Sequence, residues 1–382
     1  MADTVAFCDT APESQAVLTT NRQTRGVPVL PDVKEIDAKM LRELAPDTIT
    51  GGFPCQDISS MNMSTEEGEV RAGLDGPRSR LFFEIPRLVR ASRGGIKHVF
   101  LENSPRIIGR DSDRVIEELR KVGMKRFAYG VFAASDVGAL HRRRRWFLVA
   151  TSSSDPHHDL PLMRPGDLKR ATSHPWTRED IPRVVPRPTE KEDNDALITR
   201  SSLLGNSVVP QTVALAFQTL VLSLRTPVDV LQEKHRPATP LSKGVVVYLP
   251  TTTTTKKTKD GEKREQRYVI PRPEVSVKFE AVERLHFDLR DADGHSPSRK
   301  ALLWMTPRHN PSTWGQTRIL NNRTTWNLAD VIYYDTKTRE QCPAAGKNVN
   351  YMSHHCTINP EFIENMMGYP LGWTAVVSTK RR

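Results

Sequence analysis

The sequence is poor in cysteine. It has four, Cys8, Cys55, Cys342 and Cys356, spread over 382 residues with no Cys-x-x-Cys pair. That spacing argues against a disulfide framework and for a reducing compartment. There is no run approaching 18 apolar residues, so no membrane-spanning helix is expected. The first residues, Met1 to Phe7, carry no basic stretch followed by an apolar core, so no secretion signal is expected. No internal repeat is visible. The expectation is an intracellular, monomeric protein, in cytoplasm or nucleus, with no membrane partner.

What is present points to a polyanion. Lys and Arg number 56 against 45 Asp and Glu, a formal charge of +11 with pI near 9.6. Nucleic acid is the first partner this suggests. The chain is long enough for one large and one smaller domain.

The first 150 residues alternate short apolar runs with helical spacing. Strands are expected at Thr4–Cys8, Pro28–Pro31, Pro46–Thr50, Lys97–Leu101 and Arg145–Ala150, and helices at Glu13–Thr20, Ala38–Leu44, Ser79–Arg90 and Asp113–Val122. Pro86 would kink the third helix or mark its first turn. Such alternation predicts an α/β fold with a mostly parallel, doubly wound sheet. From Ser152 to about Ala196 the pattern dissolves into a Pro-rich, loop-like insert. A helix is expected over Gln211–Leu224. Residues 225–267 read as a linker with a mobile Thr/Lys loop at Thr251–Lys259. Asn359–Pro370 reads as a Pro-led helix closed by Gly368.

One stretch organises these elements: Thr50-Gly51-Gly52-Phe53-Pro54-Cys55-Gln56-Asp57-Ile58-Ser59. It places a thiol at the C-terminal end of a strand, where α/β sheets carry their chemistry. A helix beginning after it would favour the thiolate. The alternative is a buried structural cysteine in a Gly-Pro turn. Acidic residues, Asp9, Asp32 and Glu102, end three of the expected strands. Together they suggest a nucleoside-containing cofactor, although an acid at a strand end is also a common turn residue.

Five ordered motifs then build a resemblance. They are Gly52-Phe53-Pro54-Cys55-Gln56 with Ser59, Arg78-Ser79-Arg80-Leu81-Phe82-Phe83-Glu84, Glu102-Asn103-Ser104, His141-Arg142-Arg143-Arg144-Arg145 and Gly205-Asn206-Ser207-Val208-Val209-Pro210. They resemble the DNA cytosine-5 methyltransferases over roughly residues 4–151 and 200–222. The resemblance implies a Rossmann-like S-adenosylmethionine-dependent fold with a smaller, loop-rich recognition region. It divides the chain into a core (1–151), a short recognition insert (152–200), a core-completing motif and helix (201–224), the linker (225–267) and a C-terminal region (268–382).

It also implies roles. Cys55 would add to C6 of a flipped cytosine. Glu102 would hold N3 and the exocyclic amine. Arg143 and Arg145, two apart on an extended stretch, would face O2 and the catalytic loop; a phosphate-binding patch is the other reading of this run. Residues from Gln56 to about Gly76 would close over the base. Asp9, Asp32, Pro54, Leu81 and Asn206 would line the S-adenosyl-L-methionine pocket, and double-stranded DNA would be the partner.

The chain departs from this pattern in two places. No Phe-x-Gly-x-Gly turn after a first strand is found, so either that strand lies upstream or the fold lacks it. And Asn359–Trp373 resembles a segment that ordinarily precedes the Gly-Asn-Ser-Val motif, yet here follows it. A DNA-binding pseudoenzyme and an RNA cytosine-5 methyltransferase are the alternatives to an active DNA enzyme. His354, His355, Cys356 and Cys342 match no common zinc spacing, and no metal is expected.

Overall fold

The computed structural model describes residues 3–54, 74, 76, 79–108, 110–155, 160–176, 178, 180–225, 332 and 355–375, together with the backbone of four strands between 246 and 271. Cys55, the following loop through Gly73, Arg78, Cys342 and His354 lie outside the described residues.

The chain opens with β1 (Phe7–Cys8), α1 (Pro12–Thr20), β2 (Val29–Leu30), α2 (Ala38–Leu44) and β3 (Thr48–Gly52). Asp37 caps α2 by accepting from the Met40 amide, and Ala45 ends it in a left-handed conformation. A 3-10 turn at Ser79–Phe83 leads into α3 (Glu84–Ala91), with Pro86 in its first turn where a missing N–H costs nothing. Then come β4 (His98–Asn103), α4 (Arg110–Lys121), β5 (Arg126–Phe132) and β6 (Arg145–Thr151).

The mostly parallel sheet expected from the alternation is not what forms. The six-stranded sheet is mixed. Strand β3 pairs with β4 in parallel, but β6 runs antiparallel between β4 and β5. The connection from β5 to β6 carries a 3-10 turn (Ala134–Val137) and returns the chain antiparallel beside β5. Parallel β1 and β2 form a separate pair, and among the described residues no ladder joins them to β3.

Both faces of the large sheet are covered, which is why its strands read as apolar runs. Val99, Leu101, Tyr129, Trp146 and Leu148 face the layer containing α3 and α4. Phe100, Ala128, Phe132, Phe147 and Val149 face the opposite layer. The period of two along each strand divides the core in this way.

That opposite layer is built from the second half of the chain. The insert is more ordered than expected: α5 (Pro165–Thr172), β7 (Val184–Pro186) and α6 (Lys191–Asn206) fall within or across it, followed by α7 (Pro210–Arg225). Residues 191–225 contain an 18-residue window long and apolar enough for a membrane span, with mean hydropathy 1.5, yet 61% of that window is buried inside the protein. Two helices broken at Ser207–Val209 and packed on a sheet account for this composition.

The linker also differs from expectation. It contains β8 (Val246–Leu249), β9 (Thr255–Lys257), β10 (Lys263–Glu265) and β11 (Tyr268–Pro271). β8 pairs with β5 and with β11, extending the large sheet, while β9 and β10 pair with each other.

Near the end, β12 (Cys356–Ile358) pairs antiparallel with β7, and α8 (Pro360–Met366) follows. Asn359 caps α8 and its amide donates to Pro182 O at 2.7 Å. Cys356 is disulfide-bonded, against the expectation of no disulfide framework.

The segment carrying α8 thus docks on the core. Its anchor is Glu364, fully buried, which accepts from Gly372 N (2.6 Å), Thr374 N (2.8 Å), Thr374 Oγ1 (2.6 Å) and Arg200 Nη2 (3.2 Å). Substituting Glu364→Ala leaves these donors without their acceptor. Urea unfolding should show a loss of about 3 kcal/mol; a loss under about 1 kcal/mol would show that the anchor is replaceable.

Candidate active site

The site lies where β3, β4 and β6 meet. Gly52 on β3 stands in register with Glu102 on β4. A Cβ at Gly52 would lie 3.0 Å from Glu102 Oε2, so the absence of a side chain lets the carboxylate sit over the strand. Arg145 begins β6, antiparallel to β4, and its Nε lies 2.9 Å from Glu102 Oε1. The ion pair is partly open, with about a fifth of the Glu102 side chain exposed (21%). Burial raises the Glu102 pKa, and Arg145 and then Arg143 only partly offset it.

The backbone approaching Cys55 is pinned. Asn103 Nδ2 donates to Phe53 O at 3.1 Å, and Ser79 Oγ donates to Pro54 O at 3.1 Å. Both helpers stand inside the quoted motifs, but only geometry assigns them this role. Cys55 itself lies outside the described residues; it follows Gly52, the residue in register with Glu102, by three positions.

Arg143 departs from its expected place. Its backbone has φ of +24°, so the stretch is not extended there and the two-residue spacing no longer puts Arg143 and Arg145 on one face. The Arg143 guanidinium is buried, donating through Nη2 to Gly205 O at 2.9 Å and to Ser207 O. Burial, then the neighbouring Arg145, push its pKa down to about 9. His141 is fully buried, with Nε2 2.8 Å from Met366 O; burial pushes its pKa down to about 3, so the ring is neutral.

The cofactor residues separate into two groups. Asp9 and Asp32 follow the ends of the adjacent parallel strands β1 and β2. Asp9 Oδ1 accepts from Ala11 N at 2.8 Å and Asp32 Oδ1 from Lys34 N at 2.9 Å. Burial and the nearby Asp32, Asp9 and Glu35 raise the Cys8 thiol pKa, which shows how close these carboxylates sit. Two carboxylates at neighbouring strand ends fit ribose hydroxyls and an adenine amine. Pro54 and Leu81 are half-buried beside β3, and Asn206 is exposed at the end of α6. A pair of carboxylate acceptors suits the hydroxyl and amine donors of the nucleoside half of S-adenosylmethionine. Among the described residues no strand bridges β1 and β3, where a methionine end would need backbone support. No described group of His, Cys, Asp and Glu could hold a metal ion.

A cavity of about 510 Å3 lies apart from this pair, lined by Gln23, His174, Arg178, Gln211, Tyr369 and Trp373 among others.

Residues 1–175, just under half of the chain, match the family of C-5 cytosine-specific DNA methylases. A type II methyltransferase, M.CviJI of Paramecium bursaria Chlorella virus IL3A, is 30% identical over 173 residues, covering 45% of this chain and 41% of that protein. M.MspI of Moraxella sp is 29% identical over 141 residues, covering 36% of this chain and 31% of its own length. The chain thus spans well under half the length of these curated relatives. Among solved structures, a Spodoptera frugiperda DNMT2 mutant covers 55% of this chain and 61% of its own, at 14% identity and a TM-score of 0.32. C5 methyltransferases are S-adenosylmethionine-dependent.

Glu102 has a folded pKa above its unfolded value, so the folded family core holds that proton more tightly. The stabilisation is present below the ordinary carboxyl value of 4.5 and is lost as pH rises through the folded pKa. Unfolding free energies measured from pH 4 to 8 should therefore fall more steeply in the native protein than in Glu102→Gln. Parallel curves would contradict the shift.

Proposed function

We propose that this protein transfers a methyl group from S-adenosyl-L-methionine to C5 of cytosine in double-stranded DNA. The observation that carries the reading is the Glu102–Arg145 pair set beside Gly52, three residues before Cys55. The formal charge of +11 supports a polyanionic substrate.

Cytosine C5 is too weak a nucleophile to take a methyl group unaided. The Cys55 thiolate adds to C6, forming an Sγ–C6 bond and shifting the C5–C6 π electrons onto C5. Glu102 faces N3 as it gains electron density and accepts from the exocyclic amine. Arg145 orients Glu102 and offsets its charge. S-adenosylmethionine supplies the methyl group as electrophile. C5 bonds to the methyl carbon as the sulfonium–methyl bond breaks, leaving the thioether product. The C5 proton then passes to solvent, the Sγ–C6 bond breaks, and Cys55 leaves as thiolate. Reaching the ring requires a base turned out of the duplex. Asp9 and Asp32 hold the nucleoside half of the donor.

One observation favours a second reading, a DNA-binding protein with impaired methyl transfer. The pair β1–β2 is not joined by hydrogen bonds to β3 among the described residues.

Labelled S-adenosylmethionine and duplex DNA distinguish the two. Incorporation into DNA is expected from the native chain and none from Cys55→Ser. Glu102→Gln should lose about 10²- to 10⁴-fold in kcat, the range of a positioned acid–base group. DNA binding with no incorporation and no cofactor binding would establish the second reading.

A further inference from the structure

The turn Gly205–Val208, which carries Asn206, is held from two sides. From the sheet side, Arg143 donates to Gly205 O and Ser207 O. From the C-terminal side, Tyr369 Oη donates to Val208 O at 2.9 Å. Gln211, one residue into α7, donates through Nε2 to Gly368 O at 2.8 Å. The approach is close: Gly368 has φ of +77°, and a Cβ there would lie 2.0 Å from Gln211 Oε1. The Tyr369 ring packs on Trp373, centroids 5.4 Å apart. Trp373 O in turn accepts from Asn21 Nδ2 at 3.3 Å, at the end of the helix that begins three residues after Asp9.

Residues Gly368–Trp373 thus form a strap. One end grips the Asn206 turn and the other grips the helix after Asp9. These are the two parts of the chain assigned to the cofactor, and the strap lies some 160 residues beyond the turn it fastens. We propose that Tyr369 is a positioning residue for S-adenosylmethionine, acting through the Val208 carbonyl, so that docking of the C-terminal segment sets cofactor affinity. The inference rests on the methyltransferase reading.

Calorimetry of S-adenosylmethionine binding to the full chain tests it. Tyr369→Phe keeps the ring and removes one hydrogen bond, so Kd should rise about fivefold, with kcat at saturating cofactor within twofold. Gln211→Met, which removes the second tie, should shift Kd the same way. Asp37→Ala removes the α2 cap, away from the strap. It should lower Tm yet leave Kd within twofold. A wild-type Kd in both Tyr369→Phe and Gln211→Met would overturn the proposal, as would an equal loss of affinity in Asp37→Ala. A native chain that binds no S-adenosylmethionine would overturn the parent reading as well, a result the variants alone could not give.

Discussion

The ion pair between Glu102 and Arg145 is the constraint on which the rest depends. It requires β4 and β6 to be neighbours with opposite sense, since only then does the end of one strand meet the start of the other. It requires glycine at position 52, because a side chain there would crowd the carboxylate. It sits in partial burial, which raises the Glu102 pKa against the lowering effect of Arg145. The two-layer packing around the sheet supplies that burial, with α3 and α4 on one face and α7 on the other.

Around that pair the protein is assembled from segments distant in sequence. Arg143 reaches the end of α6, His141 reaches Met366 at the end of α8, and Glu364 gathers Arg200, Gly372 and Thr374. Each is a buried polar group meeting a specific partner, which is the condition for tolerating burial at all. The reversed order of the C-terminal segment matters little to this chemistry. What matters is that α8 arrives at the same surface, and the β7–β12 pairing with the Asn359 cap brings it there.

Much of this was legible from residues alone. α2 lies where its spacing places it, over Ala38–Leu44, because Asp37 and Ala45 bound it locally. The strand ending in Glu102 and the strand beginning at Arg145 are apolar runs that any reading finds. The order of strands was not legible. No local pattern states that β6 inserts between β4 and β5, and strand β5 itself, interrupted by Gly130, escaped notice. Helix α6 was missed altogether, because charged and polar residues, Lys191 to Asp195, mask any apolar face in its first turns. Arg143 was misplaced for a backbone reason: a single positive φ turns an extended stretch, and with it the rule that residues two apart share a face. Asn103 and Ser79 stood inside recognised motifs, but their bonds to the Phe53 and Pro54 carbonyls depend on packing between elements.

The central claim is that Cys55 attacks a cytosine held by Glu102. Incubating the full chain with S-adenosylmethionine and duplex DNA carrying 5-fluorocytosine tests it most directly, because fluorine at C5 cannot leave as the proton does and the adduct persists. The account predicts a denaturation-resistant protein–DNA complex whose cross-linked peptide contains Cys55. A complex mapping to Cys8, Cys342 or Cys356, or no complex from a chain that binds both the duplex and the cofactor, would contradict it.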